Sequence, residues 1–501
     1  MTTFINSLPS EILSRIFSNA ACSCASPRRT FGDARPPLSS PLTLSAVCKS
    51  WRHVALQDRL LWSHIDVSFD TKERYIRFPS PQPWLERSSG SSLHLSVEQY
   101  RQPQNDYSEE DNEDIDRMFG QTAPPLTLMV KRLRQFIIPL MPQVSSLVLM
   151  VTWPNKYILN LLVNYWKSRG THGHAKTLQI YANPELSHLY IQSSVISDFF
   201  GSLSTLHLHN TTVRWPESAF SGLTELDIEM GEGHWALNNV ELASLLAGCP
   251  KLERLSLCDL QVKLLSEARV VPASLQNLKV LRIGHNSDGL MLGSMFAVIK
   301  PGPNPLHLRV SVSHMEDHTK AVLTALRSFI QRANVATLHV RTQHTNGFRV
   351  PYFASQISPL PHVRTLVLDS LYFCEKIRTN TSLFHESDDS DSDAGGENSH
   401  IVTYENPTPI DPHPPLWPEL RNLYLHRCYL DKDYTCRMLS AHPVQNLYMR
   451  NCFDELEQEH WFQAFDMRGP SGEEYARALS QIVPKIVISD KGGGDWPNLL
   501  N

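Results

Sequence analysis

Apolar residues in the first sixty-odd positions recur at helical spacing. Leu8, Ile12, Leu13, Ile16 and Phe17 form the i, i+4, i+5, i+8, i+9 stripe of an amphipathic helix, with Pro9, Ser10 and Glu11 suited to its opening turn. The stretch 22–41, rich in Pro, Ser and Arg, reads as a loop. The helical period resumes at Leu44, Val47, Cys48, Trp51, Val54 and Ala55, and the segment closes with Leu60-Leu61-Trp62 and Ile65-Asp66-Val67. This pattern predicts a small helical module with a loop in its middle.

From about residue 144 a different period takes over and repeats. Leu203-x-x-Leu206-x-Leu208 is followed by Leu223-x-x-Leu226-x-Ile228, Leu252-x-x-Leu255-x-Leu257 and Leu278-x-x-Leu281-x-Ile283. Val335-x-x-Leu338-x-Val340, Val363-x-x-Leu366-x-Leu368, Leu420-x-x-Leu423-x-Leu425 and Val444-x-x-Leu447-x-Met449 continue the series. Looser copies fall at Leu147/Leu149, Leu178/Ile180, Leu189/Ile191 and Leu306/Leu308, and Asn286, Cys428 and Cys452 follow three of the copies at a fixed offset. L-x-x-L-x-L-x-x-N/C at a period of roughly 20–29 residues is the leucine-rich-repeat signature. Each L-x-L is a short strand with leucines to one side and the intervening residues to the other. One copy cannot bury its own apolar face, so copies must stack. The expected fold class is α/β: a three-helix N-terminal module followed by a leucine-rich-repeat solenoid, a horseshoe with a parallel sheet on its concave face.

Two segments interrupt the period. Residues 107–116 (YSEEDNEDID) are acidic, and 385–398 (HESDDSDSDAGGEN) lead into a proline-rich run. The second separates Leu366 from Leu423 by 57 positions, about two periods, so an acidic, Pro-rich insertion of about 376–415 is expected to loop out as a disordered segment. The resulting division is 1–66 for the helical module, 67–143 for a connector or N-terminal cap, 144–456 for the solenoid and 457–501 for a C-terminal cap or tail.

Charge and motif content narrow the function. Over 501 residues, Lys+Arg 46 against Asp+Glu 51 gives a net charge of −5, which argues against a nucleic-acid coat or a cationic membrane binder. No uncharged apolar run reaches the ~20 residues needed to span a bilayer, and the N-terminus lacks a basic-then-apolar signal pattern. Nine scattered cysteines do not make a disulfide framework, so an intracellular protein, cytoplasmic or nuclear, is expected. No phosphate-binding glycine loop, zinc-protease helix or nucleophile elbow is present. The expectation is therefore no enzyme, no cofactor and no metal.

The strings LPSEILSRIF and LSAVCKSWRHVA, with LLWSHI after them, resemble an F-box. The residues that carry the resemblance are Leu8, Pro9, Glu11, Ile12, Leu13, Ile16 and Phe17, then Leu44, Val47, Cys48, Trp51 and Arg52, then Leu60, Trp62 and Ile65. The 22–41 loop is longer than in compact F-boxes. With the repeats behind it, the layout is similar to fungal F-box/leucine-rich-repeat proteins. That resemblance implies docking on a Skp-family adaptor and, through it, on a cullin–RING ubiquitin ligase, with the repeats holding a protein substrate. Leu8, Pro9, Ile12, Leu13, Ile16 and Phe17 would supply the apolar docking surface, and Val47, Trp51 and Trp62 would pack the module or border it. The alternative is a leucine-rich-repeat scaffold with no ubiquitin role, its helices acting only as a cap.

Outward-facing strand positions supply candidate substrate contacts. They are Arg282, His307, Arg309, His339, Arg341, Tyr424, His426, Tyr448 and Arg450, with His207, His209, Asp227, Glu229, Ser256, Cys258 and Asp369 on the same side. If the 306 and 338 copies are neighbours in register, His307/His339 and Arg309/Arg341 form two cationic ladders suited to an acidic or phosphorylated segment. The same residues also fit an ordinary solvated face. Ser387, Ser390 and Ser392, set among aspartates, fit either a phosphorylation cluster or a solvated charge run.

Overall fold

The structure, a computed structural model, describes residues 8–21, 41–70, 80–100, 124–151, 156–171, 173–182, 189–191, 200–213, 220–230, 236–263, 265, 270–284, 289–312, 319–342, 350–373, 417–454 and 470–489. The expected loop at 22–41, apart from Pro41, which opens a helix, lies outside them, as do the acidic run 107–116 and the 376–415 insertion with Ser387, Ser390 and Ser392. The chain divides into two compact units. Met1–Leu278 with Val298–Gly302 form the first, and Lys279–Ala297 with Pro303–Asn501 form the second.

The first unit opens with three helices, α1 (Ser10–Ala21), α2 (Pro41–Val47) and α3 (Lys49–Gln57). Seven parallel strands follow: His64–Asp70, Leu93–Tyr100, Val144–Val151, Thr177–Ala182, Thr205–His209, Glu225–Glu229 and Arg254–Cys258. Their register stacks Ile65, Leu95, Leu147, Leu178, Leu206, Leu226 and Leu255 in one row, and Val67, Val97, Leu149, Ile180, Leu208, Ile228 and Leu257 in the next. Every one of these side chains is buried. Strand alternation sends the residues between them to the opposite face, where in the strands at 205 and 225 they are half-exposed. Burial of each leucine contributes roughly 1.5–3 kcal/mol, so two unbroken apolar rows hold the unit together.

The second unit repeats the plan with Val280–Gly284, Leu306–Val312, Val335–Thr342, Thr365–Asp369, Asn422–His426, Asn446–Arg450 and Lys485–Ser489. Leu281, Leu308, Leu338, Leu366, Leu423, Leu447 and Ile486 line one row, and Ile283, Val310, Val340, Leu368, Leu425, Met449 and Ile488 the other. The fold is thus mixed α/β, built on parallel strands that do not close into a barrel. Parallel strands need a crossover, and helices supply several of them. Asn239–Ala247 opens with a capping box, in which Glu241 N–H donates to Asn238 Oδ1 (2.8 Å) and Asn238 N–H to Glu241 Oε2 (3.0 Å). Lys432–Ser440 is capped by Asp431, whose Oδ1 accepts from Tyr434 N–H at 2.6 Å.

A second periodicity appears in the backbone. Asn210, Asp259, Ser370, Arg427 and Asn451 have φ between 51° and 67°, and each stands two residues past the last core residue of its strand. This left-handed residue turns the chain out of the strand. Asn210, Ser370 and Arg427 then donate their N–H to Glu229, His426 and Arg450 carbonyls at 2.7, 2.8 and 3.0 Å, each on the following strand. Asn and Asp tolerate this conformation best, and they fill three of the five positions.

Three sequence expectations need correction or extension. Leu189/Ile191 is not a repeat strand, because Leu189–Ile191 pairs with Thr211–Val213 in a separate two-stranded sheet. Strands outside the motif-bearing stretch 144–456 also pair in register, at 64–70 and 93–100 in the first unit and at 485–489 in the second. Finally, the 306 copy is shifted. A register irregularity between Leu306 and His307 pairs Leu308 with Leu338, so Arg309 faces His339 and Ser311 faces Arg341. The expected His307/His339 and Arg309/Arg341 ladders do not form. Among the described residues, no helix is long and apolar enough to cross a membrane.

Candidate functional site

The N-terminal helices form one candidate site. α1 starts where the Pro9 carbonyl accepts from Ile12 and Leu13 N–H, both at 3.1 Å, and Glu11 in the first turn suits the positive end of the helix. One side of α1 packs inward: Leu13 is 1% and Phe17 0% exposed, and Phe17 lies against Trp51 with ring centroids 4.8 Å apart. The other side is open, with Ile12 45% and Ile16 40% exposed. The expected docking stripe is therefore split. Leu13 and Phe17 are core, because a two-sided helix cannot present all its apolar positions to solvent.

Around α1, Leu44 is buried, Cys48 is half-buried and caps α3 by accepting from Trp51 N–H (3.5 Å), and Arg52 Nε donates to Ser45 carbonyl (2.9 Å). Leu8 and Trp51 are half-buried, while Pro9, Glu11 and Arg52 are exposed. Trp62 is wholly buried and donates Nε1–H to Ala55 carbonyl at 2.7 Å, with Arg87 stacked over its ring. Val47, Leu42, Leu56 and Leu60 are exposed. Six of the nine exposed large apolar side chains among the described residues thus fall between positions 12 and 60.

Sequence reasoning missed Asp58. Its Oδ2 accepts from Ser14 and, at 3.5 Å, from Ser18 of α1, while Oδ1 accepts from Leu60 and Leu61 N–H at 3.0 and 3.3 Å. One carboxylate therefore ties α1 to the end of α3. An Asp just past a helix reads in sequence only as a turn residue.

Residues 5–68 match the F-box-like family. Domains of this family generally bind Skp-type adaptors, which connects the F-box-like segment to ubiquitin ligases of the F-box class. No curated protein matches the chain. The F-box-like match ends within the first strand of the ladder.

The second candidate site is the strand face of the second unit, away from its core. Its middle row runs Arg282, Arg309, His339, Val367, Tyr424, Tyr448 and Val487. Its outer row runs Ser311, Arg341, Asp369, His426, Arg450 and Ser489. The nine expected contact residues all lie on this face, but not equally accessibly. Arg282, His307, Arg341, His426, Tyr448 and Arg450 are half-buried, whereas Arg309, His339 and Tyr424 are 8%, 0% and 8% exposed. Cys258 and Asp369, expected outward, are also buried.

Asp369 organises the outer row. Arg427 grips it with Nε 3.0 Å and Nη2 2.8 Å from Oδ1, and Nη2 3.0 Å from Oδ2, while His426 Nδ1 stands 3.1 Å and Arg341 Nε 3.6 Å away. Burial acts to raise this carboxyl, but His426 and the Arg427 charge outweigh it and hold it at about 2. His339 goes the other way. Burial, helped by the Arg309 charge, lowers its imidazole to about 3, and neither ring nitrogen has a hydrogen-bond partner among the described residues. Tyr424 and Tyr448 stack at 4.3 Å and 6°, beside a ladder in which Asn446 Nδ2 donates to Asn422 Oδ1 (2.8 Å).

Proposed function

We propose that this protein is the substrate-recognition subunit of a Skp–cullin–F-box type ubiquitin ligase, working in the cytoplasm, the nucleus or both. Residues 1–66 bind the adaptor, and the strands behind them form a leucine-rich-repeat solenoid whose concave face holds a protein substrate. The chain performs no bond chemistry itself; transfer of ubiquitin belongs to partner subunits. The observation that carries this reading is the F-box-like match over residues 5–68 together with Ile12, Ile16, Val47 and Leu60 left in solvent there. An adaptor helix laid across that patch would cover apolar side chains that the chain itself does not bury.

The test is reconstitution. Full-length protein mixed with a purified Skp-type adaptor and cullin–RING module is expected to co-elute as one complex on size exclusion. Separate elution of folded protein would leave the leucine-rich-repeat scaffold without a ubiquitin role as the working reading.

A further inference from the structure

The two strand faces carry opposite charge. In the first unit, the described face positions hold five carboxylates, Asp66, Glu98, Glu225, Asp227 and Glu229, against one cation, Arg254. In the second they hold five cations, Arg282, Arg309, Arg341, Arg450 and Lys485, against one carboxylate, Asp369. The Arg427 fork is the main partner of that carboxylate, which also stands 3.6 Å from Arg341 Nε and so offsets at most one of the five cations. The titrating groups on each face respond accordingly. Burial and then three carboxylates push the Tyr181 phenol up to about 12, whereas burial and then Arg309 push His307 and His339 down.

We propose that the strand face of the second unit binds an extended acidic segment of the protein substrate, its carboxylates pairing with Arg282, Arg341 and Arg450. This rests on the receptor reading for the partner's role, but not for the binding itself. Strands lie ~4.8 Å apart, so the five steps from the Arg282 strand to the Arg450 strand span ~24 Å. An extended peptide covers ~3.3 Å per residue, which makes the bound segment about seven residues long. A single phosphate would engage only one end of such a row. A nucleic-acid strand needs open aromatic faces for its bases, and Tyr424 and Tyr448 are stacked on each other.

The test is fluorescence anisotropy on full-length protein without adaptor, using a labelled eight-residue Asp-Ala repeat as probe. Binding is expected for this probe and not for the Asn-Ala or Lys-Ala repeats. Arg282→Ser/Arg450→Ser is expected to weaken it roughly tenfold, as loss of two partly solvated ion pairs does. Arg282→Lys/Arg450→Lys, which keeps the charge, should retain most of the affinity, and Asp227→Asn/Glu229→Gln in the first unit should leave it unchanged. Circular dichroism establishes that each variant is folded. Equal binding of the Asn-Ala probe, no loss in the Arg→Ser pair, or tighter binding of a single-stranded oligonucleotide would overturn the proposal. So would binding that appears only after Glu386, Asp388, Asp389, Asp391 and Asp393 are neutralised, because the face would then belong to the chain's own acidic segment. Adaptor binding is measured separately, so its failure and the failure of this proposal are distinguishable.

Discussion

Phe17 and Trp51 meet with ring centroids 4.8 Å apart and planes tilted by 56°. That contact fixes the rotation of α1 against α3, and with it which side of α1 faces solvent. Turning Phe17 inward places Ile12 and Ile16 outward, since positions one and five residues before it lie around the helix from it.

The first prediction separates packing from docking. Phe17→Ala is expected to destabilise the N-terminal helices by about 3–5 kcal/mol, the usual cost of emptying a phenylalanine site. Ile12→Ala and Ile16→Ala, at exposed positions, should each stay within about 0.5 kcal/mol of wild type. Urea unfolding checks both, and a Phe17→Ala protein as stable as wild type would contradict the packing.

Asp58→Ala should loosen α1 without emptying the core. Losing acceptors for Ser14, Leu60 and Leu61 is expected to cost about 1–2 kcal/mol. Hydrogen exchange along α1 should rise while that of the leucine strands stays as it was.

Much of this was legible because period and burial coincide. The L-x-L copies from 203 to 449 read directly as strands, since two leucines one residue apart can share a core only in extended chain. The first helix was legible from its stripe, but not which of Leu13 or Ile12 is buried, because a stripe of five apolar positions is wider than one packing partner requires. The 306 register was missed for a local reason: Leu306, Leu308 and Val310 offer two equivalent L-x-L frames, and only the irregularity at Leu306/His307 selects the second. The strands at 64 and 93 lack the full motif, with Trp62 and Ser92 at its first apolar position, whereas the strand at 485 carries a complete copy, Val483-x-x-Ile486-x-Ile488, past the last one read from the sequence. Asp369's partner Arg427 lies 58 positions away in sequence, beyond any local pattern.

Acid should weaken the second unit through Asp369. A carboxyl held at about 2 in the fold and at its ordinary 3.8 when unfolded stabilises above the higher value, and the contribution is lost as pH falls through the lower. Asp369→Asn is expected to cost roughly 2 kcal/mol at neutral pH and to flatten the stability profile between pH 4 and 2. Thermal unfolding across that range is the measurement, and an unchanged slope would contradict the Arg427–Asp369 account.

His339 supplies the opposite substitution. Its buried imidazole has no hydrogen-bond partner among the described residues, so His339→Leu is expected to gain about 1–3 kcal/mol at neutral pH. A histidine held at about 3 leaves the unfolded chain to take the proton first, so wild-type stability should fall as pH drops from 6.5 toward 3. Near pH 5 that further loss is roughly 2 kcal/mol, and the variant should lack it. Equal pH slopes in the two proteins would show that His339 is solvated in solution.

The most direct test of the receptor reading is the affinity of full-length protein for a purified Skp-type adaptor, measured for wild type and for Ile12→Asp/Ile16→Asp by calorimetry. Both substituted positions are exposed, so the variant should unfold at the same urea concentration as wild type while losing adaptor binding by at least about a hundredfold. Undiminished binding by the folded variant, or no binding by folded wild type, would contradict the account.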